Sequence, residues 1–337
     1  MQRRKFIKNT ITGLPMLFIA PSILAGACNT NEDTINPNEK TVYVIGAGIS
    51  GLAAAKKLKE KGFNVIVLEA QEKVGGRLRT NRTLGVAFDE GASWIHGANG
   101  NPITSLAQQA GMTTFFTDDD SRISYDIGGV ERSATTYDNA ETELYSIMGS
   151  LMNNGNANQS FESVFNTLHP TKSNDRLWKF LLSTYITFDT GDLDKLSSTL
   201  YDEGEVYDGE ERIATNGYDT IPNYLATGLN IQLNQRVSKI DYTNAKIKIT
   251  HNNTISEADY VVVTVPLGVL KANVIQFVPS LPSTKQNAIQ KIGMNCVNKF
   301  LLTWDTKFWD NEQYISYTPE AKDKFNYFLN VNNINPN

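Results

Sequence analysis

The sequence predicts an α/β fold built on a parallel sheet. Thr41–Ile45 and Asn64–Leu68 are continuous runs rich in β-branched and other apolar residues, as expected of strands buried on both faces of such a sheet. Residues 46–51 between them are rich in glycine, and residues 50–61 show helical periodicity before Gly62. A strand, a helix and a second strand in this order are the start of a Rossmann-like domain.

The composition indicates a globular protein that is long enough for two domains. The chain has 337 residues, of which 40% are hydrophobic and 20% are charged. Two cysteines, Cys28 and Cys296, are too few for a disulfide framework. The three histidines lie far apart in the sequence, so we expect no metal site. The formal net charge is −5, and four of the 31 basic residues lie within the first eight positions. Because the remainder is acidic, we expect no nucleic-acid partner.

Residues 1–27 have the pattern of an export signal. A basic cap precedes an apolar stretch, residues 11–27, that prolines interrupt and that is too short to span a membrane. Residues 3–8 resemble the twin-arginine export signal, and an ordinary secretory leader is the alternative. Cys28 follows a small-residue cleavage site and resembles the lipidated cysteine of bacterial lipoproteins. We therefore expect an exported bacterial protein, periplasmic or anchored to the membrane through Cys28, with residues 28–40 as a tether.

The glycine-rich segment has the spacing of a dinucleotide-binding loop. Gly46 permits a tight turn, Gly48 lets the backbone approach a pyrophosphate, and Gly51 allows the helix to pack closely on the strand. The helix that starts at Ser50 attracts the anion to its N-terminus. Glu69, at the end of the second strand, is placed to accept the ribose hydroxyls. Together these features favour a dinucleotide site over a glycine-rich packing turn.

A second glycine pair follows the acid. Gly75 and Gly76 indicate another close approach of the backbone to the cofactor, and Arg77 is placed to donate to phosphate oxygens. Taken alone, this segment would be a Gly-Gly turn followed by a solvated arginine.

Five segments of the chain together resemble the flavin-dependent amine oxidases, a family that includes monoamine oxidases, polyamine oxidases and lysine-specific histone demethylases. The resemblance spans about residues 41–310 and implies FAD as the cofactor. The segments are VIGAGISGLAAAKKL (44–58), VLEAQEKVGGRLRT (67–80), FDEGASWIHGANGNPI (88–103), VVVTVPLGVLK (261–271) and KIGMNCVNKFLLTWDTKFWD (291–310).

The resemblance also implies a Rossmann-like FAD-binding domain with an inserted α+β substrate domain. The first would comprise residues 41–115 and 217–275, and the second residues 116–216 and 276–337. Family members continue beyond Asn337, so the chain resembles a C-terminally truncated member.

The resemblance implies catalytic roles for two side chains. Lys299 falls on the lysine that holds a water beside the flavin, and His96 is a polar group on the substrate side. From the residues alone, Lys299 would be an edge-strand lysine in the apolar strand predicted at residues 297–304. His96 alone would be a structural histidine.

Backbone contacts to the cofactor are implied at three further positions. Gly91 and Ala92 pass close to the flavin ring in the family, and Val237 faces the adenine.

Periodicity and turn residues predict further helices and strands along the rest of the chain. These are helices near residues 104–111, 137–153, 176–188 and 220–225, a loop at residues 202–215, a strand at residues 230–233, and a hairpin of residues 246–251 and 255–263.

The resemblance implies FAD-dependent oxidation of a primary or secondary amine, either polyamine-like or a monoamine, to an imine with release of hydrogen peroxide. A small amine and oxygen are therefore the expected partners. A catalytically inactive FAD-binding remnant and an L-amino-acid oxidase are the alternatives. The second glycine pair and Lys299 disfavour an NAD-dependent dehydrogenase, and the absence of GxSxG and P-loop motifs leaves no support for a hydrolase or a kinase.

Overall fold

The computed structural model describes residues 36–188, 191–201, 204, 206–294, 296–321 and 324–334. The predicted export signal and Cys28 lie outside the described residues, as does most of the predicted tether. Within the described ranges, no helix combines the length and apolar character that a membrane span requires.

The described residues form seventeen strands and eight α-helices. The strands are β1 (Thr41–Ile45), β2 (Asn64–Leu68), β3 (Thr80–Asn81), β4 (Phe88–Asp89), β5 (Trp94–Ile95), β6 (Thr114–Thr117), β7 (Arg122–Asp126), β8 (Val130–Glu131), β9 (Glu211–Ala214), β10 (Asn230–Gln232), β11 (Val237–Asp241), β12 (Ile247–His251), β13 (Thr254–Ala258), β14 (Tyr260–Val263), β15 (Gln276–Val278), β16 (Tyr314–Tyr317) and β17 (Tyr327–Leu329). The α-helices are α1 (Ile49–Glu60), α2 (Pro102–Gln109), α3 (Ala134–Asn154), α4 (Phe161–Leu168), α5 (Arg176–Leu182), α6 (Thr220–Ala226), α7 (Leu267–Lys271) and α8 (Ser283–Lys291). Short 3-10 turns lie at Pro37–Glu39, Ile127–Gly129, Lys172–Asn174 and Val331–Asn333, and a π-helical turn at Ser183–Thr187 follows α5.

A four-stranded parallel sheet is the frame of the fold. Its strand order is β10-β2-β1-β14, and every neighbouring pair is parallel. Successive residues of β1 point to opposite faces: Val44 packs in one buried cluster, and Tyr43 and Ile45 pack in another. The α/β class predicted from these runs is therefore confirmed.

Each face of the parallel sheet is covered by a different layer. The Val44 cluster includes residues of α1, α2 and α6, which cover one face. The Ile45 cluster includes residues of β11, β12 and β13, which belong to a second sheet of order β13-β12-β11-β15. Burial on both faces explains why the central strands are continuous apolar runs.

A separate core lies among the middle helices. Phe161, Phe165 and Phe180 are fully buried there, within a cluster that α3, α4 and α5 contribute to. The helix predicted over residues 176–188 is confirmed: the α-helical part ends at Leu182 and continues directly as the π-helical turn Ser183–Thr187.

The predicted strand at residues 255–263 is wrong as a single element. It divides at Asp259 into β13, which pairs with β12, and β14, which pairs with β1. Asp259 accepts a hydrogen bond from the Thr41 amide at 2.9 Å, and its own amide donates to the Thr41 carbonyl oxygen at 2.9 Å. A hydrogen bond from Lys246 lowers the pKa of Asp259 to about 2, so the turn between the two sheets holds a charged carboxylate at neutral pH.

Two other predictions of local structure are corrected. The predicted loop at residues 202–215 contains β9, which pairs with β5 on one side and with β6 on the other. The predicted strand at residues 297–304 has no regular structure, and in the described part of the chain no strand pairs with it. The side chains of Val297 and Phe300 are each 63% exposed, so apolar character there does not indicate a buried strand.

Candidate cofactor and active site

The glycine-rich loop lies at the carboxyl edge of the parallel sheet, where β1 and β2 both end. Gly46 has a φ of +105°, a backbone conformation that favours glycine. Its amide donates to the Leu68 carbonyl oxygen at 2.8 Å, and a side chain at this position would lie 3.0 Å from the Thr264 hydroxyl. The turn between β1 and α1 therefore requires glycine at this residue.

The N-terminus of α1 is open toward this edge. Gly48 is the N-cap residue and supplies no side-chain cap, and a Cβ there would have no atom within 4 Å. Ser50 is exposed in the first turn. A Cβ on Gly51 would lie only 2.0 Å from the Gly46 carbonyl oxygen, so the helix can pack this closely only with glycine. Uncapped amides and open space beside Gly48 fit a pyrophosphate.

Glu69 is buried next to this loop. Its carboxylate accepts hydrogen bonds from the Ala47 amide at 2.6 Å and from the Gln71 amide at 2.9 Å. Each carboxylate oxygen keeps a further lone pair for another donor, which is what a ribose hydroxyl needs. The structure therefore places Glu69 where the sequence predicts it, and also makes it the acceptor that holds the loop.

The second glycine pair lies directly against the first loop. The Gly75 amide donates to the Ala47 carbonyl oxygen at 2.8 Å, and a Cβ on Gly76 would be 3.5 Å from the Gly48 Cα. Both glycines have positive φ angles, +108° and +58°. The Arg77 side chain is exposed. Two glycine segments that are separate in sequence thus form one continuous surface.

Gly91 and Ala92 continue this surface. The Ala92 amide donates to the Arg77 carbonyl oxygen at 3.2 Å. A Cβ on Gly91 would lie 1.7 Å from the same oxygen, so only glycine allows the two backbones to approach.

Val237 lies near Glu69, on the other side of the sheet edge. It is buried at the start of β11, opposite His251 of β12. Two residues earlier, the Gln235 amide donates to the Glu69 carbonyl oxygen at 2.7 Å. The structure therefore brings Val237 and Glu69 into one neighbourhood, and the predicted adenine contact stays a prediction.

Lys299 reaches the Gly91 segment from the irregular stretch of residues 296–304. Its ammonium group donates to the Gly91 carbonyl oxygen and to the Ser93 hydroxyl. It also lies 5.6 Å from the centre of the Trp94 ring. Burial lowers the pKa of Lys299, and the nearby Asp89 carboxylate opposes that effect. A half-buried cation therefore stands beside the predicted flavin contact.

Asp89 is a site residue that sequence reasoning missed, although it lies in the quoted segment 88–103. It is buried, and it accepts hydrogen bonds from the Thr80 hydroxyl at 2.6 Å and from the Tyr218 amide at 2.9 Å. Burial raises the pKa of Asp89, whereas these hydrogen bonds and the charge of Lys299 lower it. The sequence signal that could have identified Asp89 is an acidic residue directly after the apolar Phe88 in a short strand.

His96 has a carboxylate partner that its sequence neighbours do not provide. Its Nδ1 lies 2.5 Å from Oε2 of Glu211, and the other carboxylate oxygen accepts the Gly97 amide at 3.1 Å. Glu211 was also missed, because it stands 115 residues away in the chain, within a segment predicted to be a loop. The pairing of β5 with β9 brings the two residues together.

The arrangement suits a dinucleotide cofactor. The described residues contain no group of His, Cys, Asp and Glu side chains that could hold a metal. The open N-terminus of α1, the glycine surface and Glu69 would hold the pyrophosphate and the ribose. Gly91, Ala92 and Lys299 would lie at the flavin end of the cofactor.

Comparison with known proteins identifies the family. The family model described as flavin containing amine oxidoreductase matches residues 49–337. Polyamine oxidase 4 of Oryza sativa subsp. japonica is 33% identical over 313 residues, which cover 86% of this chain and 64% of the relative.

Two other relatives show the range of the family. Probable polyamine oxidase 4 of Arabidopsis thaliana is 32% identical, with 88% of this chain and 64% of the relative covered. A lysine-specific histone demethylase 1B homolog of Caenorhabditis elegans is 30% identical, with 96% of this chain and 45% of the relative covered. The chain thus spans less than two thirds of the length of these curated relatives.

The hydrogen bonds that the Glu69 carboxylate is expected to accept from the ribose lead to a prediction for cofactor affinity. Glu69→Ala should remove about 1.5–3 kcal/mol of charged hydrogen bonding, which corresponds to about 10- to 150-fold weaker FAD binding. Titration of the cofactor-free chain with FAD, followed by quenching of flavin fluorescence, measures this change.

Glu72→Ala is the matched control, because Glu72 is exposed three residues further on. Its FAD affinity should equal that of the unchanged chain. Equal affinities for all three proteins would remove Glu69 from the cofactor site.

Proposed function

The chain belongs to the flavin-containing amine oxidoreductase family, and on this premise we propose that it oxidises a primary or secondary amine to an imine, with oxygen as the oxidant and hydrogen peroxide as the second product. The cofactor of the family is FAD, which supplies the two-electron acceptor for this oxidation. Relatives named polyamine oxidases favour a di- or polyamine as the substrate, and a monoamine is the other candidate.

The observation that carries the proposal is the position of Lys299. Its ammonium group binds the Gly91 carbonyl oxygen, in the segment expected to pass beside the flavin ring. A cation held in this place stabilises negative charge that develops nearby, and it orients a water or oxygen molecule. Because burial lowers the pKa of Lys299, the group also holds its proton less tightly than an exposed lysine does.

The substrate side of the site is expected to be formed by Trp94 and His96. An aromatic ring beside a polar imidazole can contact the apolar carbons and the nitrogen of an amine separately. The carboxylate of Glu211 orients the imidazole.

We also propose the domain division that the family resemblance implies. Residues 116–216 and 276–337 would form an inserted substrate domain, and residues 41–115 and 217–275 the FAD-binding domain. The separate aromatic core among α3, α4 and α5 supports an independent unit in the middle of the chain.

The export of the protein is a further part of the proposal. The pattern of residues 1–27 supports passage by the twin-arginine route, which carries folded, cofactor-loaded proteins, and Cys28 would then attach the chain to a membrane. Changing Arg3 and Arg4 to Lys should leave the precursor in the cytoplasm, as measured by fractionation and immunoblotting. Export at the original level would instead indicate an ordinary secretory leader.

Lys299 allows a direct test of the reaction. Lys299→Met removes the charge and keeps the length of the stem, so oxygen should reoxidise the reduced, FAD-loaded protein about tenfold or more slowly, while FAD remains bound. Stopped-flow absorbance measures the rate of reoxidation.

Lys307→Met is the matched control, because Lys307 is exposed in the same irregular region. Its reoxidation rate should equal that of the unchanged chain. An equal rate for Lys299→Met as well would exclude Lys299 from the oxygen step.

A further inference from the structure

We propose that Glu211 is a positioning residue that holds His96 in its Nδ1–H tautomer, so that Nε2 of the ring accepts an N–H of the substrate amine. The inference rests on the proposed function for the identity of the substrate. It adds a residue and a proton position to that function, and the proton position can be measured without turnover.

The hydrogen bonds of Glu211 determine which ring nitrogen carries the proton. A carboxylate only accepts hydrogen bonds, so Nδ1 of His96, at 2.5 Å from Oε2, must be the donor. The second oxygen already accepts the Gly97 amide at 3.1 Å, which fixes the carboxylate from the other side. In the neutral ring, Nε2 is then an acceptor.

The sheet register brings the two side chains to the same face. Trp94 is opposite Ile213 and Ile95 is opposite Arg212 in the antiparallel pair, so the next position places His96 opposite Glu211. Glu211 and Ile213 are alternate residues of β9 and share a face, and Ile213 is opposite Trp94. The hydrogen bond to Glu211 therefore holds the His96 ring on the face of the Trp94 side chain.

The third strand of this sheet confirms the direction. Thr117 of β6 is opposite Glu211 of β9. The Trp94 indole N–H donates to the Thr117 hydroxyl at 3.1 Å, and this hydroxyl donates to the Glu211 carbonyl oxygen at 3.2 Å. The indole, the imidazole and the Glu211 carboxylate thus lie together on one face of the sheet.

The Lys299 ammonium contacts the same segment, because it lies 5.6 Å from the Trp94 ring centre and donates to the hydroxyl of the neighbouring Ser93. The His96 side chain is 44% exposed and the Glu211 side chain only 15%. The Glu211 carboxylate is therefore the less solvent-accessible member of the pair, and the His96 imidazole is the more accessible one. Among the described residues, none hydrogen-bonds to Nε2, which leaves that atom available to a ligand.

An acceptor at Nε2 matches the chemistry of the proposed substrates. Primary and secondary amines carry at least one N–H, which can donate to Nε2 and orient the neighbouring carbon. The opposite tautomer would present an N–H to the amine, and it would leave the Glu211 carboxylate facing the lone pair of Nδ1. The Glu211 carboxylate therefore determines which hydrogen-bonding atom the site offers.

Nitrogen NMR of the full chain labelled with ¹⁵N-histidine reads the tautomer directly. Three histidines give a small number of signals, and His96→Gln assigns those of His96 by their loss. At a pH where the ring is neutral, two-bond and three-bond couplings to the ring carbon protons should show Nδ1 protonated and Nε2 unprotonated. A His96 ring that is mainly Nε2–H in the unchanged chain would overturn the proposal.

Two variants separate positioning from general effects on the fold. Glu211→Ala removes the acceptor, so His96 should change to the Nε2–H tautomer that predominates in a free neutral histidine side chain. Glu210→Ala is the control, because Glu210 is the neighbouring acid but pairs with Arg212, and the His96 tautomer should stay unchanged.

The NMR measurement of the His96 tautomer does not depend on whether the protein oxidises amines. If Glu211→Ala retains the Nδ1–H form, Glu211 does not position the ring and the inference is wrong. Loss of the proposed function would instead appear as a lack of amine-dependent peroxide release by the unchanged, FAD-loaded chain, with the tautomer measurement unaffected.

Discussion

The hydrogen bond from the Ala47 amide to the buried Glu69 carboxylate joins the ends of two parallel strands, and the rest of the cofactor site is arranged around it. The carbonyl oxygen of Ala47 accepts the Gly75 amide, so the same residue holds the second glycine pair. Gly91 then packs against the backbone of Arg77. A side chain at Gly46, Gly51 or Gly91 would separate these segments, and this explains the concentration of glycine at one edge of the sheet.

Local order along the chain was sufficient to predict the first βαβ unit. Strands β1 and β2 have the bounds that the apolar runs predict, and α1 begins one residue before the predicted start. Each of these elements packs against elements that are close to it in sequence, so the spacing of its apolar residues reflects which of its sides are buried. The pattern at residues 255–263 does not reveal that the chain changes sheets at Asp259, because the residues on both sides of Asp259 form strands.

The parts of the site that sequence reasoning missed depend on pairings across long distances. Glu211 reaches His96 only through the three-stranded sheet of β5, β9 and β6, and its surroundings in sequence are rich in acids and resemble a loop. Lys299 was selected from a family resemblance, and the strand predicted around it is absent; its ammonium group nevertheless reaches the Gly91 carbonyl oxygen. Residue type and spacing could not reveal either contact.

The visible spectrum of the FAD-loaded chain under anaerobic conditions shows whether these segments form a working flavin site for amine oxidation. We expect flavin absorption bands that bleach when a di- or polyamine, or a monoamine, is added and that return when oxygen is admitted. Bands that persist with every amine would contradict the proposed activity and identify an inactive FAD-binding protein. A chain that retains no flavin would contradict the cofactor site itself.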